Sequence, residues 1–474
     1  MTTPVLIGVG GTGQTVLIAY LRLAELAGFT PALFYALDSD TKGPLTETLT
    51  RFKSRVKQVV GGGVPPARWK IDPFPNVLAE RKTFGTLFGN LTGERRALFD
   101  CLFSEEAEQT RIQTGMYGRP SIGATSIRYK ILKDDEELKE MKNMLRGGEK
   151  HVILVGSCFG GTGSGGVPML AQEFHRLKTE EQGYQALKVD AAIFLPWFRL
   201  IQPEGGVKVP EKSLHEHLNK NFEPNAAAGI HYFKDRIRNY VDTLFLFGVG
   251  NPGQISRISS EDAQGEAAHI LNLLAASLIQ SHFAEALRPP LGVVAYWYDA
   301  DEGINPRSTM VYRNDSTKSS ISLSNVIKRT ALRVDWLDVL RTFFENYKRI
   351  DPIHKPTFLD LAIEKLTLST RTDVQVIGDM VSCLEQARRF VADGYNWLEK
   401  MDDKQFFYLK VDEKRVLGIQ YETMHNNPLP IINRFCNQEG LYSRFDKRDF
   451  ETPENFCEKF SELFLQHLMK EFNL

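Results

Sequence analysis

A glycine-rich loop between an apolar strand and a helix occurs twice in this chain, and this repetition constrains the fold more than any other feature. The first loop has the pattern GxGxxG over residues 8–13 and follows the apolar run 4–9. The second loop, GGTGSG over residues 160–165, follows the run 151–156. Glycines in such loops bring backbone N–H groups and a helix N-terminus against phosphate. Because both loops open on the same edge of a parallel sheet, we predict that they hold phosphates from two sides of one crevice.

Apolar runs of strand length alternate with helical segments through the N-terminal half of the chain. The predicted strands are residues 4–9, 32–37, 152–155, 191–195 and 243–247. Strands that alternate with helices predict an α/β fold with a doubly wound parallel sheet. After the last of these strands, residues 260–286 have no glycine or proline break beyond Gly265 and predict one long buried helix.

The remaining segments divide the chain into domains. Residues 44–113 are mostly of helical pattern and predict an insertion, and residues 299–324 are rich in Ser, Asn and Asp. We therefore predict a nucleotide-binding domain over residues 1–290, a junction over 291–324 and a mainly α-helical C-terminal domain over 325–474.

Composition excludes several classes of protein. The 58 Lys and Arg residues nearly balance the 59 Asp and Glu residues, so no field of the whole chain would attract nucleic acid or an anionic membrane. The five cysteines are widely spread without a CxxC pair, which predicts a reducing, cytoplasmic location. The chain has no apolar run of about 18 residues, so we expect no membrane span. The apolar start at residues 5–7 lacks a basic flank and is interpreted as a strand, not as a signal peptide.

The first loop alone is compatible with several functions. A dinucleotide-binding fold would use it for pyrophosphate, with Asp38 at the end of the second strand bound to ribose. An adenylating enzyme of the ubiquitin-activating type has a similar loop and a similar acidic strand end. A tight packing turn between strand and helix is the structural alternative.

The second loop favours a nucleoside triphosphate, because a dinucleotide fold needs only one glycine-rich turn. The hydroxyls of Thr162 and Ser164 would add hydrogen-bond donors for phosphate. No Lys follows the glycines, so the spacing is not that of a Walker loop.

The order of loops resembles the tubulin and FtsZ superfamily. The sequence GGTGSG is similar to the signature loop of tubulins, and residues 10–14 resemble the first phosphate loop of that family. Residues 38–40 stand where the family has its second loop, and residues 114–118 resemble the third loop, which senses the γ-phosphate. Pro196-Trp197-Phe198 resembles the sugar-binding loop. The pattern is closer to bacterial proteins with a tubulin-like domain than to FtsZ itself, and it covers about residues 1–290.

The resemblance implies a tubulin-like, Rossmann-like domain that binds GTP or GDP with Mg²⁺ and has a long central helix over about 260–286. The implied phosphate-binding residues are Gly10, Gly11, Thr12, Gly13, Gln14, Gly160, Gly161, Thr162, Gly163, Ser164 and Gly165. The implied γ-phosphate sensors are Gly115, Gly118 and Arg119, and the second loop contributes Asp38, Ser39 and Asp40, with Asp40 supporting magnesium through water. The implied contacts to sugar and base are Pro196, Phe198, Asn251, Glu266 and His269.

Three departures limit what the resemblance implies. His269 stands where the family has an Asn or Asp, which leaves the choice between guanine and adenine open. No NxDxxD-like acidic motif follows the central helix, and the nearest acids, Asp299 and Asp301, are weak catalytic candidates in a polar loop. The C-terminal region is helical, whereas filament-forming relatives have a small α/β domain there.

These observations predict a GTP-binding protein, and one hypothesis adds GTP hydrolysis activated by head-to-tail self-assembly into a filament or other oligomer. The alternative is a nucleotide-gated scaffold or regulator without appreciable turnover, whose C-terminal domain binds a protein partner. A third interpretation is an NAD-binding oxidoreductase. We expect no membrane and no nucleic-acid partner.

Overall fold

A six-stranded parallel sheet forms the centre of the chain. The computed structural model describes residues 3–27, 33–38, 83–110, 112, 116, 118–133, 136–200, 209–249, 253–255, 270–283, 292–298, 310–311, 320–321, 336–367, 371–403 and 428–471. The sheet strands are β1 (Thr3–Val9), β2 (Leu33–Leu37), β3 (Lys150–Ser157), β4 (Leu187–Phe194), β6 (Thr243–Val249) and β8 (Gly292–Tyr298), in the spatial order β2-β1-β3-β4-β6-β8. Every neighbouring pair is parallel. The predicted α/β class and parallel sheet are confirmed.

Two short strand pairs lie outside this sheet. Strand β5 (Phe198–Leu200) pairs in parallel with β7 (Gly253–Ile255). Strand β9 (Met310–Val311) pairs in antiparallel fashion with β10 (Ser320–Ile321).

Helices cover the sheet and bury its apolar strands. They are α1 (Gly10–Ala27), α4 (Pro120–Lys133), α5 (Glu136–Leu145), α6 (Thr162–Glu180), α7 (Val209–Asp235) and α8 (Ile270–Phe283). Residues Val152–Val155 of β3 are fully buried, as expected for a parallel strand covered on both faces. Helix α1 packs against both β1 and α8, where the Tyr20 ring meets the Phe34 and Phe283 rings edge-on.

The described part of the predicted insertion is a small helical unit beside α4. It contains a 3-10 turn (Gly85–Phe88), α2 (Gly93–Leu102) and α3 (Glu105–Glu108). Phe88 contacts Tyr129 of α4, so this unit packs against the helix that follows the third predicted loop. Residues 39–82 lie outside the described part.

The described residues from 336 onward are helical. They form α9 (residues 336–346), α10 (Thr357–Thr367), α11 (Asp373–Asp403), α12 (Leu429–Cys436) and α13 (Pro453–Glu471). An aromatic core joins them, in which Phe435 contacts Phe460 and Phe464, and Trp336 contacts Phe464. Helix α11 packs against α13 and also against α1.

The structure corrects the predicted junction over residues 291–324. Gly292–Tyr298 enters the main sheet as β8, parallel to β6. The physical reason is visible in its sequence, VVAYWY, because β-branched and aromatic residues suit a strand and the polar composition begins only at Asp299. Within the same predicted junction, β9 and β10 form one antiparallel strand pair where we expected loop.

The structure also corrects the start of the first helix. We predicted a loop over residues 8–13 before the helix, but α1 already begins at Gly10. Of the long helix predicted over 260–286, residues 270–283 are described and are helical. None of the described helices is long and apolar enough to cross a bilayer.

Candidate functional site

The strand order of the sheet reverses between β1 and β3, and we call the region outside the carboxyl ends of these two strands the crevice. From β1 the chain passes to β2 on one side, whereas β3 lies on the other side and leads to β4, β6 and β8. Ligands of open parallel sheets bind where the strand order reverses in this way, outside the carboxyl ends of the strands. The two glycine-rich loops follow the two strands that flank this crevice.

The two loops touch each other backbone to backbone. Gly10 has φ 73°, a left-handed conformation that favours glycine, and a Cβ atom there would lie 2.9 Å from the amide nitrogen of Gly163. Helix α1 begins at Gly10 and helix α6 begins at Thr162, so two helix N-termini meet at the crevice. Each carries partial positive charge, so their meeting point has the electrostatics that suit an anion.

The Asp38 carboxylate connects the two loops. Gln14 donates from Nε2 to Asp38 Oδ2 at 3.0 Å, and Thr162 donates from Oγ1 to Asp38 Oδ1 at 3.2 Å. All three side chains are buried, with Asp38 7% exposed. We predicted these residues as separate ligand contacts, and the structure instead brings them into contact with one another.

The Ser164 hydroxyl points back into its own loop. It donates a hydrogen bond to the carbonyl of Gly160, and the Gly160 N–H donates to Ser157 Oγ at 3.2 Å. A side-chain hydroxyl in the first turn of a helix can bond the carbonyl four residues earlier, and Ser164 does so here. Phosphate binding by the Ser164 hydroxyl stays a prediction.

Part of the glycine content of the second loop serves helix packing. A Cβ atom on Gly165 would lie 2.3 Å from Ala124 N and 2.4 Å from Pro120 O, and one on Gly161 would lie 2.6 Å from Met116 Cβ. Helix α6 therefore approaches α4 at backbone distance. We predicted that all these glycines contact phosphate. At Gly161 and Gly165, atoms of neighbouring segments lie so close that no larger residue would fit, which explains the presence of glycine there.

Arg119 faces the small helical unit beside α4. Its guanidinium forms an ion pair with Glu106 and donates hydrogen bonds to the Thr110 hydroxyl and, at 3.3 Å, to the Glu106 carbonyl. The predicted γ-phosphate partner is thus engaged by α3 and the residues after it. Gly118 precedes it with φ 65°, and its carbonyl accepts a hydrogen bond from Asn225 of α7 at 2.8 Å.

The strand that begins at Phe198 of the predicted sugar-binding loop lies beside β7. Phe198 opens β5 and pairs in register with Gly253 of β7, two residues beyond Asn251. Pro196 is partly buried in the loop after β4. The remaining candidates, Ser39, Asp40, Gly115, Asn251, Glu266, His269, Asp299 and Asp301, lie outside the described residues.

A buried cluster of His151, Asp190 and His282 lies towards the amino ends of the strands and was not predicted. Nε2 of His151 lies 2.5 Å and Nε2 of His282 lies 2.8 Å from the same oxygen, Asp190 Oδ2, while the Thr243 N–H donates to Oδ1 at 2.8 Å. Burial opposes ionisation of Asp190, but hydrogen bonds from both imidazoles outweigh it and lower the pKa of that carboxyl below its ordinary value. Burial lowers the pKa of His151, which indicates a neutral His151 imidazole that donates to an ionised carboxylate.

The same three residues could hold a metal ion by residue type. Their donor atoms lie within 4.8 Å of one another. Ligands around a tetrahedral zinc at about 2.1 Å would stand about 3.3 Å apart, which is wider than the two nitrogen–oxygen distances here. Hydrogen bonding therefore describes this cluster better than coordination. The sequence signal was a single acid inside the apolar strand VDAAIF.

Comparisons with known proteins give no family assignment. No protein-family model matches the chain, and no curated protein matches it. Among solved structures, the chain is similar to CetZ2 from Haloferax volcanii in a GTPgS-bound protofilament, with TM-score 0.32, 16% identity and coverage of 59% of each chain. It is also similar to CetZ from Methanosaeta thermophila, with TM-score 0.28, 14% identity and coverage of 60% of this chain and 55% of that one. The matched region thus spans less than two thirds of either structure.

Proposed function

We propose that this chain is a GTP-binding protein of the tubulin and FtsZ type, of the kind with a tubulin-like domain found in bacteria, and that it acts in the cytoplasm. The observation that carries the proposal is the contact between the two glycine loops at the crevice. Gly10 and Gly163 meet there at backbone distance, and Asp38 fixes both loops through Gln14 and Thr162. Two helix N-termini aimed at one point suit a polyphosphate better than a single charge.

The proposed nucleotide would place its phosphates against the two loops, residues 10–14 and 160–164. Sugar and base would extend towards Pro196, Phe198 and Asn251, in agreement with the pairing of β5 and β7. Glu266 and His269 would complete the base contact, and Asp40 would support Mg²⁺ through water. The Mg²⁺ ion would neutralise part of the phosphate charge.

The nucleotide that co-purifies with the full-length protein tests this proposal. We expect denatured protein to release GTP or GDP, detected by mass spectrometry, and fluorescent GTP to bind in competition with GTP. Recovery of NAD with no binding of GTP would favour the oxidoreductase instead. An adenine nucleotide as the bound species would refute the base assignment and leave the phosphate loops in place.

Hydrolysis coupled to assembly is the extended form of the proposal. If a neighbouring subunit completes the site in a head-to-tail filament, turnover per molecule must rise with protein concentration. We expect GTPase activity and sedimentable polymer to appear together above a threshold concentration.

A scaffold without turnover is the second candidate, and the absence of an NxDxxD-like motif after residue 286 favours it. This form predicts tight GTP binding, no phosphate release at any protein concentration and a protein partner bound through the helical residues from 336 onward. Measured turnover that rises with concentration would exclude it.

A further inference from the structure

Two cysteines face each other where α11 and α13 pack. Cys457 of α13 donates from Sγ to the carbonyl of Met380 at 3.5 Å, and Cys383 of α11 donates from Sγ to the carbonyl of Glu454 at 4.0 Å. Met380 precedes Cys383 by three residues, and Glu454 precedes Cys457 by three. Each thiol therefore lies against the helical turn that carries the other thiol, and Cys383 is close enough to raise the pKa of Cys457.

The two thiols differ in access to solvent. Cys383 is partly exposed, whereas Cys457 is 1% exposed. A reagent in solution therefore reaches Cys383 first. Cys457 is then the neighbouring internal thiol, on the helix that packs against that of Cys383.

We propose that Cys383 and Cys457 form a reversible disulfide when the protein meets a low-molecular-weight disulfide of the glutathione class. The bond would join α11 to α13 covalently. Helix α11 also packs against α1, which covers the main sheet. Oxidation would therefore stiffen a helix that is in contact with the sheet region.

The chemistry is a two-step thiol–disulfide exchange. The Cys383 thiolate attacks one sulfur of oxidised glutathione, which forms a mixed disulfide and releases one glutathione thiolate that takes up a proton. The Cys457 thiolate then attacks the Cys383 sulfur and releases the second glutathione. Two protein thiols lose two hydrogens in total, and one oxidised glutathione becomes two reduced ones.

Burial, and next the neighbouring Cys383, raise the pKa of the Cys457 thiol. Since the thiolate is the nucleophile, the second step accelerates as pH rises. A mixed disulfide on Cys383 should therefore accumulate transiently near neutral pH and disappear faster under alkaline conditions.

Peptide mapping of the full-length protein in glutathione redox buffers tests the proposal. We expect a linked peptide that contains Cys383 and Cys457, which dithiothreitol reverses. Oxidation should also raise the midpoint of thermal unfolding by a few degrees, because the bond closes a long loop in the unfolded chain. Cys383→Ser and Cys457→Ser should each lose the linked peptide and the shift.

Matched controls separate this pair from general thiol oxidation. Cys436→Ser removes another buried cysteine of the helical region, and Cys101→Ser removes an exposed one, and both variants should keep the linked peptide. The peptide map of the wild-type protein tests the proposal even if a variant fails to fold. If Cys383 stays a stable glutathione adduct at equilibrium while Cys457 remains a free thiol, the proposal is wrong.

Discussion

Asp38 determines the geometry of the crevice at the scale of single residues. Its two oxygens accept hydrogen bonds from different helices, Gln14 of α1 and Thr162 of α6. A hydrogen bond to a charged group contributes about 1.5–3 kcal/mol, and a buried donor left without its acceptor costs a similar amount. One side chain therefore holds both glycine loops in position.

Asp38→Ala should weaken binding of GTP by about ten- to a hundredfold, since about 1.4 kcal/mol corresponds to a factor of ten. Titration with a fluorescent GTP analogue measures the change. Asp379→Ala is the matched control, because Asp379 of α11 forms an exposed ion pair with Arg371. Equal affinity in the Asp38→Ala variant and the wild type would show that the loops keep their positions without this carboxylate.

The sequence predicted that the two glycine loops and the end of β2 lie together, but it did not predict the contacts that each side chain makes. Glycines, Thr162 and Asp38 stand in a recognisable local pattern, so their shared location followed from strand order. The backbone hydrogen bond of Ser164 and the ion pair of Arg119 depend on conformation and on a distant segment. His151, Asp190 and His282 are 39 and 92 residues apart along the chain, and no local pattern connects them.

At the scale of elements, the packing of α6 on α4 depends on glycine. The first turn of α6 approaches the N-terminus of α4 so closely that a methyl group at Gly165 would overlap backbone atoms of Pro120 and Ala124. Backbone atoms cannot move aside as flexible side chains do. Helix α4 and the small helical unit attached to it are thus positioned relative to the second loop.

Gly165→Ala should destabilise the protein by about 1–3 kcal/mol, the usual range for overpacking in a close-packed interior. Urea unfolding followed by circular dichroism gives the free energy of unfolding. An unchanged midpoint would mean that α6 and α4 separate easily.

Gly378 has free space where a side chain would lie, in contrast to Gly165, so we expect Gly378→Ala to have the opposite effect on stability. A Cβ atom there would contact nothing within 4 Å, and the residue lies inside α11. Alanine has the higher helix propensity, so the substitution should stabilise the protein by about 0.5–1 kcal/mol. The same urea experiment checks this, and a loss of stability would contradict the described environment of α11.

Element boundaries show where sequence periodicity fails. Strands β1, β3, β4 and β6 were predicted because each is a short apolar run. Strand β8 was missed because the polar segment after Asp299 drew the whole interval into a junction. Periodicity marks elements with strong patterns, whereas membership in a sheet is decided by partners that the local sequence does not contain.

At the scale of the whole molecule, the buried Asp190 cluster ties β3, β4, β6 and α8 together. His151, Asp190, Thr243 and His282 each come from a different one of these elements. Lys188 is the further charged group facing Asp190, with Nζ at 3.8 Å from Oδ2. The cluster is far along the sheet strands from the crevice and should control stability more than ligand binding.

Acid should destabilise the protein in two ranges of pH. The pKa of His151 is lowered in the fold, so the unfolded chain binds more protons below the ordinary value of 6.5, and stability falls as pH drops from there. The pKa of Asp190 is also lowered, so its contribution is present above its ordinary value of 3.8 and is lost as pH falls below it. Urea unfolding at pH 8, 6, 5 and 3.5 measures both ranges, and stability that rises on acidification would refute this assignment.

Asp190→Asn should cost about 3 kcal/mol at neutral pH, because a buried network loses its charged acceptor, and should abolish the lower of the two ranges. The unfolding midpoint and its pH dependence provide the readout. GTP affinity should stay within about twofold of wild type, since the cluster and the crevice lie at opposite ends of the strands.

Strand β3 joins these two regions. His151 near its amino end binds the buried carboxylate, and Ser157 at its carboxyl end accepts the Gly160 N–H of the second loop, about 20 Å away at the usual rise of a strand. The strand is therefore held by the buried carboxylate near its amino end, and it supports the second loop at its carboxyl end. Substitutions near the amino end of the strand should therefore change the thermal stability of the protein and leave the position of the second loop unaltered.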